Sequence, residues 1–472
     1  MKTASIKSNI FYTTGLRFDP RLYIGEAIKY YSLINKIGER ITITGSECTA
    51  CYWGNVFTRI FVSDIEHGIP YITASEMVKS EISTHKLLQR KQASCYPELI
   101  LDKGWILISC SGTVGNCVLT DKRFKGMHGS QNLIRLFPNG KTLKPGILYA
   151  FLSCKYGHAA LTHSQYGSVV KHISPEHVKA IPIPIFPEEL QNRVHNLIME
   201  SSHLREDADD EEKQALETLK HYTGLRELTR NDYNYFGYKS SNRQISCFRK
   251  SRSQISLLSI NAFNYSKRTE DFQKYLTRQC HCVTLNDVLD SPGIFSTGSF
   301  PRIEHDSPSS ILLVNQSDIF NMRLSGKKIA RRGVKTDNLV KYGEVIIAGV
   351  GTLGENETFC RTLFANETLA GQLISGEFLR MNTKDEYPSG YLYTWLHSEY
   401  GFRLIRATQS GTKLCRPIQK LLLQMPVPLL PHEQMLEIHN IVVTSQTHKY
   451  QAAEKENEAI RIVEEEIEKW QK

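Results

Sequence analysis

Two cysteine pairs are the first residues whose spacing could do chemistry, Cys48-x-x-Cys51 and Cys280-x-Cys282. Tetrahedral zinc takes paired thiolates, but a structural site needs four ligands, and neither pair has a second at finger spacing. They read as buried free thiols, with no metal. Cations gather in two clusters: His85, Lys86, Arg90 and Lys91, then Lys327, Lys328, Arg331 and Arg332. Such clusters can neutralise phosphates. Two small-residue turns are followed by further cations: Gly167-Ser168 by Lys171 and His172, Gly411-Thr412 by Lys413 and Arg416. Glycine lets backbone approach a ligand closely and hydroxyls bond phosphate, so these are candidate phosphate cradles as well as plain tight turns. Gln131 and Gln372 carry amides that can pair with adenine, though a repeated glutamine also serves a fold. The basic stretch Arg243 to Arg252, with Phe248, reads as a linker.

Catalytic patterns are missing. The chain has no Asn/Asp-Pro-Pro-aromatic segment of the kind an amino-methyltransferase uses, and no Gly-rich cofactor loop after an early strand. Gly351-Thr352-Leu353-Gly354 lacks the lysine that a phosphate-binding loop places next. No carboxylate–lysine cluster suited to magnesium is repeated. No catalytic residue is therefore assigned, and no cofactor is expected in this chain.

The elements that position the candidates come in two copies. Gly104-Trp105-Ile106-Leu107-Ile108-Ser109 and then Gly112-Thr113-Val114-Gly115 return about 240 residues later as Gly343-Glu344-Val345-Ile346-Ile347-Ala348 and Gly351-Thr352-Leu353-Gly354. In the same order follow Gln131 and Gln372, Tyr149 and Tyr393, Tyr156-Gly157 and Tyr400-Gly401, Gly167-Ser168 and Gly411-Thr412. The series closes with Ile181-Pro182-Ile183-Pro184 and Met425-Pro426-Val427-Pro428. The β-branched runs closed by glycine predict strands entering tight turns. The proline-bearing exits cannot donate ladder hydrogen bonds, so they predict edge segments.

Beyond each exit the apolar spacing changes to about three and a half. Leu190, Val194, Leu197, Leu204, Ala208, Ala215 and Tyr222 form one seam, which Gly224 stops; Ile438, Val442, Ala452, Ala459, Val463 and Trp470 form the other. The acidic run Glu206 to Glu212 reads as the solvated face of the first helix. The fold class is α+β: two mixed α/β domains in tandem, each followed by a long helix, the helices packing as an antiparallel coiled coil. The expected bounds are 1–186 for the first domain, 187–230 for the first helix, 231–430 for a linker and the second domain, and 431–472 for the second helix.

At 472 residues the chain exceeds what one core usually supports. With 40% hydrophobic and 23% charged residues it has globular composition, and 58 basic against 49 acidic residues leave it mildly basic at +9. Eleven scattered cysteines do not form a secreted disulfide framework, and no long apolar run or apolar leader core is present. The expected compartment is the cytoplasm, without membrane attachment.

Two such domains, each followed by a spacer helix, closely resemble the specificity subunit of type I restriction-modification systems. The resemblance rests on the Gly104 and Gly343 strand-turn motifs, the Gly-Thr-x-Gly turns, Gly167-Ser168 and Gly411-Thr412, and the Pro-x-Glu helix starts. It covers nearly the whole chain. One departure is Pro187-Glu188-Glu189-Leu190-Gln191, without the Glu-Gln pair found at Glu433-Gln434. The resemblance implies a non-catalytic subunit whose two target-recognition domains each read one part of a split, asymmetric site on double-stranded DNA. Two methyltransferase subunits would sit along the spacer helices and restriction/translocase subunits would join them; S-adenosylmethionine, ATP and magnesium would belong to those partners. The rival readings are a DNA methyltransferase or nuclease, which the missing motifs disfavour, and a coiled-coil adaptor, which the large non-helical parts disfavour.

If the helices set the gap in the recognised sequence, one heptad inserted after Ala208 and another after Ala452 keeps both seams in phase. Seven residues add about 10.5 Å of helix, so the unspecified gap should lengthen by about one to three base pairs of ~3.4 Å each while the flanking bases stay the same. Sequencing the methylated adenines of the insertion variant checks this; an active variant with an unaltered gap would show that the helices set no distance.

Overall fold

The structure is a computed structural model that describes residues 26–43, 48–62, 64–82, 86–163, 165–166, 170–229, 232 and 248–470. The linker reading at 243–247 and the Gly167-Ser168 turn lie outside the described residues. The chain forms two compact units, Met1–Glu206 with Gln451–Lys472, and Asp207–Tyr450. Among the described residues no helix is long and apolar enough to cross a membrane.

The first unit holds α1 (Glu26–Ile34), β1 (Arg40–Thr42), β2 (Cys48–Tyr52), β3 (Phe61–Val62), β4 (Gly68–Ile72), β5 (Leu87–Gln89), β6 (Ile106–Ser109), β7 (Cys117–Leu119), β8 (His128–Gly129) and β9 (Leu133–Pro138). After these come α2 (Pro145–Ser153), α3 (Lys155–His163), β10 (Pro182–Pro184) and the start of α4 (Glu188–Thr223). One four-stranded antiparallel sheet runs β2-β9-β6-β7, another sheet β3-β5-β4-β8, and β1 pairs with β10. The run Ile106 to Ser109 is wholly buried, and Gly104, at φ 88°, makes the turn into it. Pro182 and Pro184 sit in a strand with a single partner, where their missing N–H groups leave no ladder bond unmade.

The second unit repeats this plan with α5 (Lys267–Gln279), β11 (Cys282–Thr284), β12 (Leu289–Phe295), β13 (Ile311–Val314), β14 (Lys327–Ile329), β15 (Val345–Ala348), β16 (Thr362–Phe364), β17 (Leu373–Ile374) and β18 (Phe378–Thr383). It continues through α6 (Ser389–His397), α7 (Glu399–Ala407), β19 (Gln409–Ser410), β20 (Arg416–Pro417), β21 (Pro426–Pro428) and α8 (His432–Lys469). Its sheets run β12-β18-β15-β16 and β14-β13-β17, with β11 on β21.

Matching strands expose one error in the repeat as read from sequence. Seven residues, 110–116, join β6 to β7, whereas thirteen, 349–361, join β15 to β16. Gly115 donates its amide to Ser109 at φ 91°, and the residue doing the same in the second unit is Cys360, which donates to Ala348 at φ 68°. Gly354 is thus not the counterpart of Gly115. It lies in the extra stretch of the longer loop.

Each core is a sheet face covered by helices. In the first unit Ile106, Ile108 and Leu136 meet Ile147 and Phe151 of α2, Val194 and Ile198 of α4, and Ala459, Val463 and Ile467 of α8. In the second, Val345, Ile347 and Met381 meet Tyr391 and Trp395 of α6, Ala215 and Leu219 of α4, and Ile438 and Val442 of α8. Within each unit the long helices run antiparallel. Arg193 meets Glu458 and Ser201 meets Ala452 in the first, while Ala208 meets Ser445 and Tyr222 meets Glu437 in the second. Gly224, at φ 64°, ends α4.

The acidic run is not a solvated face throughout. Glu206 is buried, bonded to Lys103 Nζ at 2.8 Å and to the Lys122 amide at 2.7 Å. Glu212 is buried too, accepting from the Tyr393 hydroxyl at 2.8 Å and facing Lys449 Nζ at 2.5 Å. Both carboxylates fill bonds that α4 makes to the globular part of its unit.

The paired Tyr-Gly motifs have a steric cause. A Cβ on Gly157 would lie 1.9 Å from the Phe151 carbonyl oxygen, and one on Gly401 would lie 2.1 Å from that of Trp395. Only glycine lets α3 and α7 turn back so closely on the helices before them. Gly157→Ala and Gly401→Ala are each expected to cost about 3 kcal/mol or more, since backbone must move to relieve the overlap. Thermal unfolding checks this, and a shift in midpoint of under a degree would contradict the packing described.

Candidate nucleic-acid interface

The basic clusters fall at one place in both units. The Tyr71 amide of β4 donates to Lys86 at 2.8 Å, and Leu313 of β13 stands opposite Lys327. Tyr71 and Leu313 each begin a parallel pairing, with His128 and Leu373. The register therefore sets Lys86 on Lys327, Arg90 on Arg331 and Lys91 on Arg332. His85 lies outside the described residues.

These charges are engaged differently. Lys86 is half-buried and paired with Glu76 at 2.6 Å. The Arg90 guanidinium donates to the carbonyls of Gly68, Glu66 and Ile65 at 3.1, 3.2 and 3.3 Å, fixing the turn into β4. Lys327 and Lys328 are exposed in ion pairs with Glu304 at 2.5 Å and Asp306 at 2.6 Å. Exposed pairs contribute about 0–1 kcal/mol each, so a phosphate can replace the carboxylate. Lys91, Arg331 and Arg332 are exposed with no acidic partner among the described residues.

A hairpin carries the second group. Ser410 faces Arg416 across β19 and β20, with Gly411 at φ 99° turning the tip. In the first unit Tyr166 faces His172 in the same way. The loop after the buried strand closes on each hairpin: Gly112 donates to Lys171 at 3.1 Å, while Gly351 and Cys415 exchange bonds of 3.2 and 2.7 Å. His172 thus corresponds to Arg416, but Lys171 corresponds to Cys415 and not to Lys413. Lys413 falls opposite residue 169, outside the described residues. Lys171, Lys413 and Arg416 are exposed.

Gln131 and Gln372 are not equivalent. Strand β8 corresponds to β17, so Gln372 stands one residue before its strand and Gln131 two after. The Gln372 side chain accepts from the Leu312 amide at 2.8 Å, which ties β13 to the chain entering β17. Gln131 Oε1 is buried with no hydrogen-bond partner among the described residues. The six extra residues after β15 bring two unrelated glutamines to nearly the same spacing.

Sequence reading missed a pair that the fold does repeat. Arg135 lies on β9 opposite Leu107 and Tyr52, and Arg380 on β18 opposite Ile346 and Phe295; both are 0% exposed. Glu344, also 0% exposed, grips Arg380 with two bonds of 2.8 Å. The residue at that place in the first unit is Trp105, which packs tilted against Phe137 at 4.1 Å between ring centres. Arg135 instead donates to the carbonyls of Gly129 at 2.8 Å and Leu133 at 2.9 Å. Burial pulls its pKa down to about 10, so it stays charged at neutral pH. His128, paired with Tyr71 across β8 and β4, is held neutral near pKa 4 by burial and then by Arg135. The signal was an Arg after a hydrophobic pair in each copy, Leu133-Ile134-Arg135 and Phe378-Leu379-Arg380, but an arginine inside a strand reads as an outward-facing residue.

The thiols pair with the fold: Cys48 donates to the Ile43 carbonyl at 3.0 Å, and burial pushes Cys51 up to about 12. Among the described residues the one group of metal-type ligands is Asp64, Glu66 and His67, which is bound into its own turn by Asp64.

A family model described as the type I restriction modification DNA specificity domain matches residues 64–196. Among solved structures, a type I restriction-modification S subunit from M. genitalium aligns at 13% identity and TM-score 0.33, over 92% of this chain and 96% of that one. An HsdS subunit from Thermoanaerobacter tengcongensis aligns at 14% and 0.26 over the same shares. A structure described as concerning complex assembly and conformational transition of the type I R-M system aligns at 15% and 0.28, over 92% and 98%. No curated protein matches the chain.

Replacing Lys327, Lys328, Arg331 and Arg332 together by alanine is expected to weaken DNA binding and flatten its salt dependence by about 0.9 in log–log slope for each phosphate that is no longer neutralised. Arg331→Ala with Arg332→Ala should give most of that change, because neither cation has to leave an ion pair. Anisotropy titrations across a salt series measure it, and an unchanged slope would return the cluster to ordinary surface.

Proposed function

We propose that this chain is the DNA-recognition subunit of a type I restriction-modification complex, reading a bipartite, asymmetric site through its two units and directing methyltransferase and restriction subunits to it. One observation carries the reading: the unit that holds the segment matched as a specificity domain has a counterpart in a second unit, whose main four-stranded sheet has the same strand order but different surface residues. Two similar scaffolds with different surfaces suit two different half-sites. Phosphate contacts from the basic clusters supply position and affinity, and other side chains supply base choice. Methylation and cleavage belong to the partners, which bring S-adenosylmethionine, ATP and magnesium; the chain works in the cytoplasm.

The purified chain is expected to transfer no methyl group, and to support adenine methylation at a split site once methyltransferase subunits and S-adenosylmethionine are added. Methyl transfer by the chain alone, above a control without it, would overturn the reading. A chain that retains no sequence preference from a random duplex pool, with the methyltransferase present, would do so too.

A further inference from the structure

The loop between β2 and β3 borders an open groove of about 630 Å3 lined by Val56, Phe57, Thr58, Arg59 and Phe61. The loop is braced from within. Gln92 donates its amide to the Thr58 carbonyl and accepts from the Ile60 amide at 2.8 Å. Phe57 stacks on Tyr96 at 4.4 Å and meets the edge of His128 at 5.9 Å. Arg59 Nη1 lies 3.2 Å from the Tyr71 hydroxyl. On this fixed base Val56 is 86% exposed and Arg59 is exposed, with no acidic partner among the described residues.

Strand register carries the loop into the second unit without insertion. Tyr52 opposes Arg135 as Phe295 opposes Arg380, and nine residues on, Phe61 opposes Leu88 as Glu304 opposes Ile329. Phe57-Thr58-Arg59 therefore superposes in sequence on Phe300-Pro301-Arg302. There too the arginine is exposed, and its Cζ lies 5.7 Å from the Phe300 ring centre. Neither arginine is buried or ion-paired among the described residues, and both stand at the same register position. The guanidinium fork matches the paired acceptors of guanine, and a braced loop loses little freedom on binding.

We propose that the two Phe-x-Arg loops, 57–59 and 300–302, are the base-reading elements of the two units, with Arg59 and Arg302 each contacting a guanine edge of duplex DNA. This rests on the reading of the chain as a DNA-recognition subunit. The test selects preferred duplexes from a random pool with the full chain and its methyltransferase, comparing wild type with Arg59→Ala, Arg302→Ala and the two lysine variants. Each alanine variant should bind the wild-type site about ten- to a hundred-fold more weakly and lose its preference at a guanine, Arg59→Ala in one half-site and Arg302→Ala in the other. Each lysine variant should keep the salt slope yet show the same relaxed position. Wild type that selects a split site, with alanine variants selecting the same site, would overturn the assignment while leaving the proposed function standing. Uniform weakening that lysine fully restores would make the arginines phosphate ligands and also overturn it. A wild type that selects nothing would end both. Unfolding curves matching wild type confirm that the exposed substitutions leave the fold intact.

Discussion

In each unit a tyrosine hydroxyl of the first helix after the sheet's last strand is tied to a buried glutamate on a long helix that belongs, in sequence, to the other repeat. Tyr149 bonds Glu456 at 2.5 Å, and Tyr393 bonds Glu212 at 2.8 Å. Buried carboxylates are costly unless every partner is in place, so these bonds demand one register between helix and globular part. Arg205 completes the site at Glu456 and Lys449 at Glu212, each from the helix alongside. Serine hydroxyls repeat the logic, Ser201 to the Ala452 carbonyl and Ser445 to that of Ala208. A slip of one residue along either helix would leave charge buried and unpaired.

Histidines anchor the other end of the same packing. Gly146 donates its amide to His195 Nδ1 at 3.2 Å, and Gly390 to His439 Nδ1 at 3.0 Å, which satisfies a donor that the start of a helix leaves without an intrahelical partner. Burial lowers the pKa of both rings and keeps the accepting nitrogen unprotonated. With helices, exits and buried strands held in common, the units are free to differ in their loops. They do so after β15, in the Arg361–Phe402 contact at 4.0 Å, and in the Glu344 carboxylate that the first unit lacks.

What could be read from sequence follows from what leaves a local trace. Gly104 and Gly343, the proline exits and the stop at Gly224 are backbone requirements, and each is visible at one position. The long helices announce themselves by spacing. Register does not, because pairing depends on loop lengths: six added residues are enough to misplace Gly354 and to match Gln131 with Gln372. Partners are equally silent. A seam shows which residues are buried but not against what, so Glu206 and Glu212 read as solvated, and Lys86 and Arg90 read as available when Glu76 and the carbonyls before β4 engage them. The arginine at 135 and 380 and the Phe-x-Arg loops become recognisable only once strands set the two copies on one another.

The first unit draws its core from widely separated stretches of the polypeptide. Ile106 and Phe151 share it with Ala459, Val463 and Ile467, more than 300 residues downstream. On the ribosome, the sheet, α2 and α4 of this unit are made early, yet the part of their apolar core that α8 covers must wait until the far part of α8 emerges. At a synthesis rate of roughly 5–20 residues per second that interval lasts on the order of tens of seconds, long compared with collapse of a small domain. Maturation therefore waits on a segment translated long after the rest of the core, and a copy terminated before it would present a sticky surface to quality control instead of an independent half.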